Sequence, residues 1–353
     1  DIRRQRQMCI RDSLYIAMLD AHPNVEVRMF NPIARRGLYW LNYLGTFSLS
    51  NRRMHNKSFI IDNQVAIVGG RNIAVEYFQL ESKGEFIDFD MLSAGPIVED
   101  TSRQFDAYWN HKLAVPAEAL FRGATEERVA AALDDVVQAM AEAGETIYGE
   151  AVNTPLMKQF YARSLPPYLA GAELLVDSPE KLVSPVAVEH QAVGIALRDA
   201  MAAAEEEVLI FTPYFIPGDG GVDFIRSLTG RGVRVVVVTN SLATNNHTAV
   251  YSAYRRYRKA VLEAGAELWE ARADAARAEP GSREDADGDG YLTLHSKALV
   301  IDRRRLFAGS VNLDPRSIRI NTEMGLLIDS QDLGGALAGR AYERLPLWAY
   351  RVV

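Results

Sequence analysis

The amino-acid sequence predicts an α/β protein made of two related lobes, each with a sheet flanked by helices. Two observations support this prediction. The pattern H-x-K-x4-D-x6-G-[G/S]-x-N occurs twice, from His55 to Asn72 and from His295 to Asn312. Residue types that recur at the same offsets indicate a duplicated unit whose copies serve one task. The second copy also follows alternating strand and helix patterns, which favour a mostly parallel sheet.

Each copy of the motif is predicted to form a strand, a turn and a second strand. Residues 57–61 and 65–68 form this pair in the first copy, and residues 297–301 and 306–308 form it in the second. Small residues then allow a tight turn, so the asparagine that ends the motif lies at a strand end. The residues expected to shape the turns rather than to carry the chemistry are Asp62, Gly70, Asp302 and Ser310.

The elements before the second motif are predicted in order. An amphipathic helix covers 192–204, an apolar strand covers 208–211, and the β-branched run 233–239 is typical of a strand buried on both faces. A helix over 248–264 and a strand over 266–269 complete the series.

The first half is shorter, since only the strand 25–30 precedes its motif. We therefore expect a first lobe over 1–115 that is incomplete, and a chain that is a fragment of a longer protein. Residues 116–185 are expected to form a helical and irregular connector. Residues 186–353 are expected to form the second lobe.

Composition narrows the class of protein. The chain has 353 residues, 48% hydrophobic and 24% charged, which is typical of a soluble globular protein. The formal net charge of −7 argues against a nucleic-acid partner, which usually requires a basic surface. The single cysteine excludes an internal disulfide. The loop 285–290 resembles the start of a calcium loop, but Ser296 stands where a bidentate glutamate is required, so no metal or cofactor is predicted.

The paired motifs predict chemistry on a phosphodiester. One imidazole can attack phosphorus and form a phosphohistidine, while the other can protonate the leaving oxygen. Lysine and asparagine side chains can stabilise the charge on the non-bridging oxygens. The residues assigned to this chemistry are His55, Lys57, Asn72, His295, Lys297 and Asn312.

Each catalytic histidine also needs an acceptor that fixes its tautomer. Glu323 lies on a predicted strand after the second motif, and Asp88 lies on a predicted strand over 86–92 after the first motif. Asp90 is the competitor of Asp88.

The duplicated signature resembles the phospholipase D superfamily. Within it, the runs Arg52–Lys57, Val68–Ile73 and Thr212–Pro217 are similar to bacterial cardiolipin synthases, and the runs 254–258 and 266–270 are most similar to their C type. Members of this type are usually longer at both ends. The resemblance implies a pseudo-two-fold fold with both motifs at one site, with His55 as nucleophile and His295 as acid. It also implies that Arg71, Tyr214 and Asn240 bind substrate.

The implied reaction is transphosphatidylation, in which a phosphatidyl group moves through a phosphohistidine to phosphatidylglycerol. Phosphatidylethanolamine is a possible donor by the same resemblance, and the implied location is the cytoplasmic face of the bacterial inner membrane. The aromatic segment 38–47, flanked by Arg35, Arg36, Arg52 and Arg53, can either enter a bilayer surface or form a helix packed on the connector. Two alternatives stay open. They are hydrolysis of lipid or nucleic-acid phosphodiesters, and a catalytically silent fragment that binds membranes.

Overall fold

A computed structural model describes residues 14–32, 52–73, 77, 84–120, 125–144, 154–183, 191–245, 247–274 and 291–353. The chain divides into two compact units. One unit comprises Asp1–Ser50 and Ala107–Pro167, and the other comprises Asn51–Asp106 and Tyr168–Val353. The predicted segments 1–115, 116–185 and 186–353 follow the repeats rather than these units and remain a prediction.

Residues 14–20 are helical, and the labelled strands and helices of the described chain follow. The strands are β1 Arg28–Phe30, β2 Ser58–Ile61, β3 Val65–Gly69, β4 Gly84–Ile87, β5 Asp90–Ala94, β6 Ala114–Pro116, β7 Gly171–Val176, β8 Glu207–Phe211, β9 Arg234–Asn240, β10 Glu267–Ala271, β11 Tyr291–Leu294, β12 Ala298–Ile301, β13 Arg305–Gly309, β14 Met324–Asp329 and β15 Ala349–Val352. The helices are α1 Pro96–Trp109, α2 Ala117–Leu120, α3 Glu126–Gly144, α4 Pro155–Tyr161, α5 Ala192–Ala202, α6 Gly218–Thr229, α7 Thr248–Arg255, α8 Arg258–Glu263, α9 Pro315–Arg319 and α10 Gln331–Trp348.

The smaller unit contains an antiparallel pair of strands, β1 and β6. The ring of Phe30 packs on Tyr108 with centroids 5.3 Å apart. Helices α2, α3 and α4 belong to the same unit.

The larger unit is built on an eight-stranded sheet in the order β15-β10-β9-β8-β12-β13-β14-β7. Strand β9 pairs in parallel with β8 and β10, whereas the other five pairings are antiparallel. The mixed α/β fold is confirmed, but the parallel share is smaller than predicted. One reason is that the short turn between β12 and β13 can join only antiparallel strands. Strand β7, from the predicted connector, closes one edge.

Helices cover both faces of this sheet. Val193 and Leu197 of α5 pack with Leu299 and Phe307 in one core cluster. On the opposite face, α1 and α10 form a second cluster with Leu209, Val300 and Leu326. The predicted helix 248–264 is interrupted near Tyr257, so that two shorter helices, α7 and α8, replace it.

The first motif forms a three-stranded antiparallel sheet, β2-β3-β5. Both motif hairpins turn through two residues with positive φ, namely Asp62 and Asn63 at 50° and 53°, and Asp302 and Arg303 at 50° and 51°. Left-handed backbone at both central positions defines the hairpin turn that matches the natural twist of the strands, and aspartate and asparagine tolerate it.

Backbone pairing connects the two repeats directly. Strand β4 pairs in parallel with β11, and Met54 forms an isolated parallel bridge with Thr322. The amide of His55 donates to the carbonyl of Thr322 at 3.0 Å, and the amide of His295 donates to the carbonyl of Ile87 at 2.8 Å. Each motif histidine therefore lies beside the residue that precedes the other repeat's acidic residue.

Candidate active site

His55 is held by a carboxylate that follows the second motif. Its Nδ1 lies 2.8 Å from Oε2 of Glu323, although the two residues are 268 positions apart. The side chain of Glu323 is buried, and the hydroxyl of Ser310 donates to the same oxygen at 2.5 Å. The hydroxyl of Ser317 donates to its other oxygen. These bonds fix the carboxylate, which in turn fixes the ring of His55.

His295 is held in the same way by a carboxylate that follows the first motif. Its Nδ1 lies 2.6 Å from Oδ2 of Asp88, whose side chain is inaccessible to solvent. The strand predicted over 86–92 is interrupted at Asp88 and Phe89, between β4 and β5. A Cβ atom on Gly70 would lie 2.4 Å from Oδ1 of Asp88, so only glycine fits there.

Asp90, the competitor of Asp88, has a different partner. Its Oδ2 lies 2.6 Å from Nε of Arg71, and the same guanidinium donates to the carbonyl of Tyr77 at 2.5 Å. Arg71, which was expected to bind substrate, thus bridges the backbone of Tyr77 and the carboxylate of Asp90, and its role in substrate binding remains a prediction.

The two lysines lie within the site and lose charge readily. Nζ of Lys57 donates to the carbonyl of His55 at 2.7 Å, and burial lowers the pKa of Lys57 to about 8 against the opposing effect of Glu323 and Asp88. Lys297 is fully buried, and its Nζ donates to the carbonyl of His295 at 2.6 Å. Burial lowers the pKa of Lys297 to about 7, although the charge of Asp88 raises it.

His295 is the more enclosed of the two imidazoles, with 8% of its side chain exposed against 24% for His55. Burial lowers the pKa of His295 to about 4; the hydrogen bond to Asp88 opposes this effect and the charge of Lys297 adds to it. The imidazole of His295 is therefore neutral at physiological pH when the site holds no anion. Lys57 also acts on this pKa, which places elements of both motifs in one electrostatic environment.

Tyr77 contributes a contact that the sequence analysis missed. Its hydroxyl lies 3.1 Å from Nε2 of His295 and accepts a hydrogen bond from Nδ2 of Asn72 at 2.8 Å. Nε2 of His55, by contrast, has no hydrogen-bond partner among the described residues. The sequence held a pattern that could have pointed to Tyr77, because Tyr77 follows Asn72 at the same offset at which Ser317 follows Asn312.

The second asparagine is less constrained than the first. The backbone amide of Asn312 donates to Oγ of Ser317 at 2.9 Å. Its side-chain oxygen is buried and has no hydrogen-bond partner within the described part of the chain. The amide group of Asn312 is thus available to a ligand.

Two residues expected to bind substrate have other contacts in the structure. Asn240 is fully buried, and its side chain forms two hydrogen bonds with the backbone of Leu294. Its Oδ1 accepts from the backbone amide of Leu294 at 2.9 Å, and its Nδ2 donates to the carbonyl of Leu294 at 2.8 Å. The expectation for Asn240 was wrong, because a side chain bonded in this way positions the residue before His295 and cannot reach substrate. The ring of Tyr214 packs near His247, and its role in substrate binding remains a prediction.

The motif aspartates lie in the hairpin turns. Asp302 accepts hydrogen bonds from the backbone amides of Glu205, Glu206 and Glu207 at 3.0, 2.8 and 2.9 Å. Asp62 is exposed and has no such partner among the described residues.

Several expectations lie outside the described residues. They concern the aromatic segment 38–47 with Arg35 and Arg36, and the loop 285–290. Within the described ranges, no helix combines the length and apolar character needed to cross a bilayer. The same ranges hold no cluster of three or more metal-binding side chains.

Two His-Lys-Asn motifs, each on its own sheet and with each histidine held by the other repeat's carboxylate, define a phospholipase D-like protein. Residues 197–340 match the family model described as "Cardiolipin synthase, PLD-like domain". The chain is 35% identical over 321 residues to cardiolipin synthase C of Escherichia coli strain K12. The aligned region covers 90% of this chain and 67% of that protein. It therefore belongs to the cardiolipin synthase family, whose members are phosphatidyltransferases of the phospholipase D superfamily.

Two further proteins show weaker similarity to this chain. Cardiolipin synthase A of Serratia proteamaculans strain 568 is 27% identical over 288 residues, or 81% of this chain and 46% of that protein. The crystal structure of phosphatidylserine synthase from Haemophilus influenzae Rd KW20 shares the fold, with a TM-score of 0.55 and 16% identity over 85% of this chain and 63% of that one. The chain spans between 46% and 67% of the length of each of these three proteins.

Proposed function

We propose that this protein catalyses transphosphatidylation, with His55 as the nucleophile and phosphatidylglycerol as the acceptor that is converted to cardiolipin. One observation carries the assignment of roles. Nε2 of His55 has no hydrogen-bond partner in the described residues, whereas Nε2 of His295 contacts Tyr77. A nucleophile needs an open lone pair aimed at phosphorus, and the carboxylate of Glu323 keeps the proton of His55 on Nδ1.

In the first half-reaction, Nε2 of His55 attacks the phosphorus of the donor lipid. The bond from phosphorus to the leaving oxygen breaks, and that oxygen takes the proton carried by Nε2 of His295. The phosphodiester anion raises the pKa of His295 towards its ordinary value, because it brings negative charge into a pocket that otherwise disfavours the imidazolium. The products are the free head alcohol and a phosphohistidine.

In the second half-reaction, His295 acts as a base. The primary hydroxyl of phosphatidylglycerol gives its proton to Nε2 of His295 while its oxygen attacks phosphorus, and the bond from phosphorus to His55 breaks. Cardiolipin leaves, and both histidines return to their starting state. Lys57, Lys297 and the two asparagines stabilise the charge on the non-bridging oxygens in both steps.

Membership of the cardiolipin synthase family supports the proposed substrates. Phosphatidylglycerol serves as acceptor, and phosphatidylglycerol or phosphatidylethanolamine serves as donor. An enzyme with such substrates works at a bilayer surface, so we place it at the bacterial inner membrane as a peripheral protein, on the cytoplasmic face. Nucleic acid is not a substrate in this proposal, given the acidic net charge of −7.

The test compares His55→Ala with His295→Ala in the full-length protein. Each change should lower cardiolipin formation from labelled phosphatidylglycerol by at least about 10⁴-fold. The two variants should differ in phosphoenzyme formation when the phosphatidyl donor carries a p-nitrophenolate leaving group, because that group leaves without a proton. His295→Ala should then accumulate labelled, acid-labile phosphoenzyme, whereas His55→Ala should form none.

The products separate this proposal from its rivals. Wild-type enzyme that yields phosphatidic acid as its sole lipid product would establish hydrolysis. A wild-type protein that binds vesicles and releases no labelled product would establish a silent membrane-binding protein. Labelled phosphoenzyme in His55→Ala would overturn the assignment of the nucleophile.

A further inference from the structure

We propose that the hydroxyl of Tyr77 occupies the position of the acceptor hydroxyl and thereby selects a lipid alcohol over water as the second nucleophile. This inference rests on the proposed function. It adds a specificity-determining residue to the site and gives a physical reason for transfer rather than hydrolysis.

The contacts of Tyr77 are those that an acceptor alcohol requires. In the second half-reaction, the incoming hydroxyl must donate its proton to Nε2 of neutral His295. The hydroxyl of Tyr77 lies 3.1 Å from that nitrogen and accepts from Asn72 at 2.8 Å, so its own proton is directed at Nε2. Because Asp88 holds the other ring nitrogen, Nε2 carries the lone pair that receives this proton. Nζ of Lys297 also lies 2.9 Å from Nδ1 and 3.3 Å from Nε2 of the same ring.

Tyr77 is built into this position. Its side chain is 7% exposed, its ring meets the imidazole of His295 edge-on at 5.0 Å, and it packs on Phe86 at 4.8 Å. Arg71 holds its carbonyl and is itself fixed by Asp90. The hydroxyl therefore competes for Nε2 as an intramolecular group with a high effective concentration.

The other repeat shows that this contact is not a general consequence of the motif. The residue at the same offset there is Ser317, and its hydroxyl donates to Glu323 behind His55 rather than to a reactive nitrogen. One histidine of the pair is covered by a tyrosine hydroxyl and the other is left open.

This arrangement discriminates between nucleophiles by their additional binding energy. A water molecule can reach Nε2 only after the whole ring of Tyr77, which packs on Phe86 and His295, has moved, and water brings no binding energy to offset that movement. A phospholipid alcohol brings the binding energy of its phosphate and acyl chains, which can offset displacement of Tyr77. Water is thus excluded from the base while the phosphohistidine waits for lipid.

The experiment is Tyr77→Phe in the full-length protein, assayed with labelled phosphatidylglycerol in vesicles. We expect the ratio of phosphatidic acid to cardiolipin to rise about tenfold, because the space left by the hydroxyl beside Nε2 admits a water molecule while the remaining ring still keeps out the larger lipid alcohol. The KM for the acceptor should fall several-fold, because the ring is displaced more easily once the hydrogen bonds of its hydroxyl are lost. Tyr254→Phe is the matched control. Its hydroxyl is also buried and donates to Glu270 at 2.8 Å, but it takes no part in the site, so its product ratio should equal that of wild type.

An unchanged product ratio in Tyr77→Phe would overturn the inference. Equal loss of both products would also overturn it, because the hydroxyl would then be needed for proton transfer itself. A second readout is independent of activity. In ¹⁵N-histidine NMR spectra, Tyr77→Phe should shift the resonance of Nε2 of His295 and leave the resonances of His55 unchanged. If the wild-type enzyme formed no product, the proposed function would be refuted, and the NMR comparison would still test the contact between Tyr77 and His295.

Discussion

The two copies of the motif share one local geometry but differ in their surroundings. Both hairpins turn at an aspartate with φ of 50°, and both histidines bind a carboxylate through Nδ1. Every residue of β12 is buried, whereas β2 exposes alternate residues, with Phe59 at 60%. The side chain of His295 is 8% exposed and that of His55 is 24% exposed.

On the proposed mechanism, this difference lets a duplicated motif supply two chemical roles. An enclosed imidazole held by Asp88 is suited to exchange protons with the leaving group and the acceptor, and an open imidazole with a free lone pair is suited to attack phosphorus. The motif sets which groups are present, and the surroundings set what each group does.

The largest effect is expected when the carboxylates of Glu323 and Asp88 are replaced by amides. Glu323→Gln should lower the rate of phosphoenzyme formation by roughly 10³- to 10⁴-fold, because an amide can hold the wrong tautomer of His55. Asp88→Asn should cause a loss of similar size in turnover, yet it should form phosphoenzyme normally with a p-nitrophenyl donor. Rapid-quench labelling measures both.

Ser310→Ala is the matched control for Glu323→Gln. It removes one hydrogen bond from the carboxylate and keeps its charge, so we expect a loss of about tenfold or less. If Glu323→Gln and Asp88→Asn reduced phosphoenzyme formation equally with both donors, the distinct roles of the two histidines would be wrong.

A second test concerns stability and uses the motif aspartates. Asp302→Asn should lower the free energy of unfolding by about 1–3 kcal/mol, because it removes the charge that strengthens the bonds from Glu206 and Glu207 to Oδ1 and replaces the Oδ2 acceptor of the Glu205 amide by a donor. Asp62→Asn is the same change in the same turn and should be neutral within about 0.5 kcal/mol. Urea denaturation measures the two values, and equal losses would contradict the difference in environment.

The smallest expected effect is on the pH dependence of kcat/KM, which reports the free enzyme. Lys297, with a pKa of about 7, and Lys57, with a pKa of about 8, lose their charges as the pH rises, so affinity for the phosphodiester should fall above neutral pH. Lys57→Arg keeps its charge in this range and should make the alkaline decline shallower. Identical profiles for Lys57→Arg and wild type, measured at constant ionic strength, would exclude Lys57 from phosphate binding.

Much of the site could be predicted from the sequence because its groups belong to short, repeated patterns. The offsets within each motif identified the histidines, lysines and asparagines, and the acceptors Glu323 and Asp88 were found on elements downstream. The hairpins were predictable because they depend on strand patterning and turn residues, which act over a few positions. The predominance of antiparallel pairing could not be predicted, because the residue pattern of a strand does not specify which strand it pairs with.

The sequence by itself therefore determined the inventory of reactive groups, the duplicated unit and the local turns. Only the tertiary structure decided that Glu323 serves His55 and that Asp88 serves His295, pairs that are 268 and 207 positions apart. It also decided that Tyr77 covers one imidazole and that Asn240 braces the backbone instead of binding lipid. The physical reason is that these contacts arise from parallel pairing between distant segments and from burial in a common core, neither of which is encoded in the spacing of neighbouring residues.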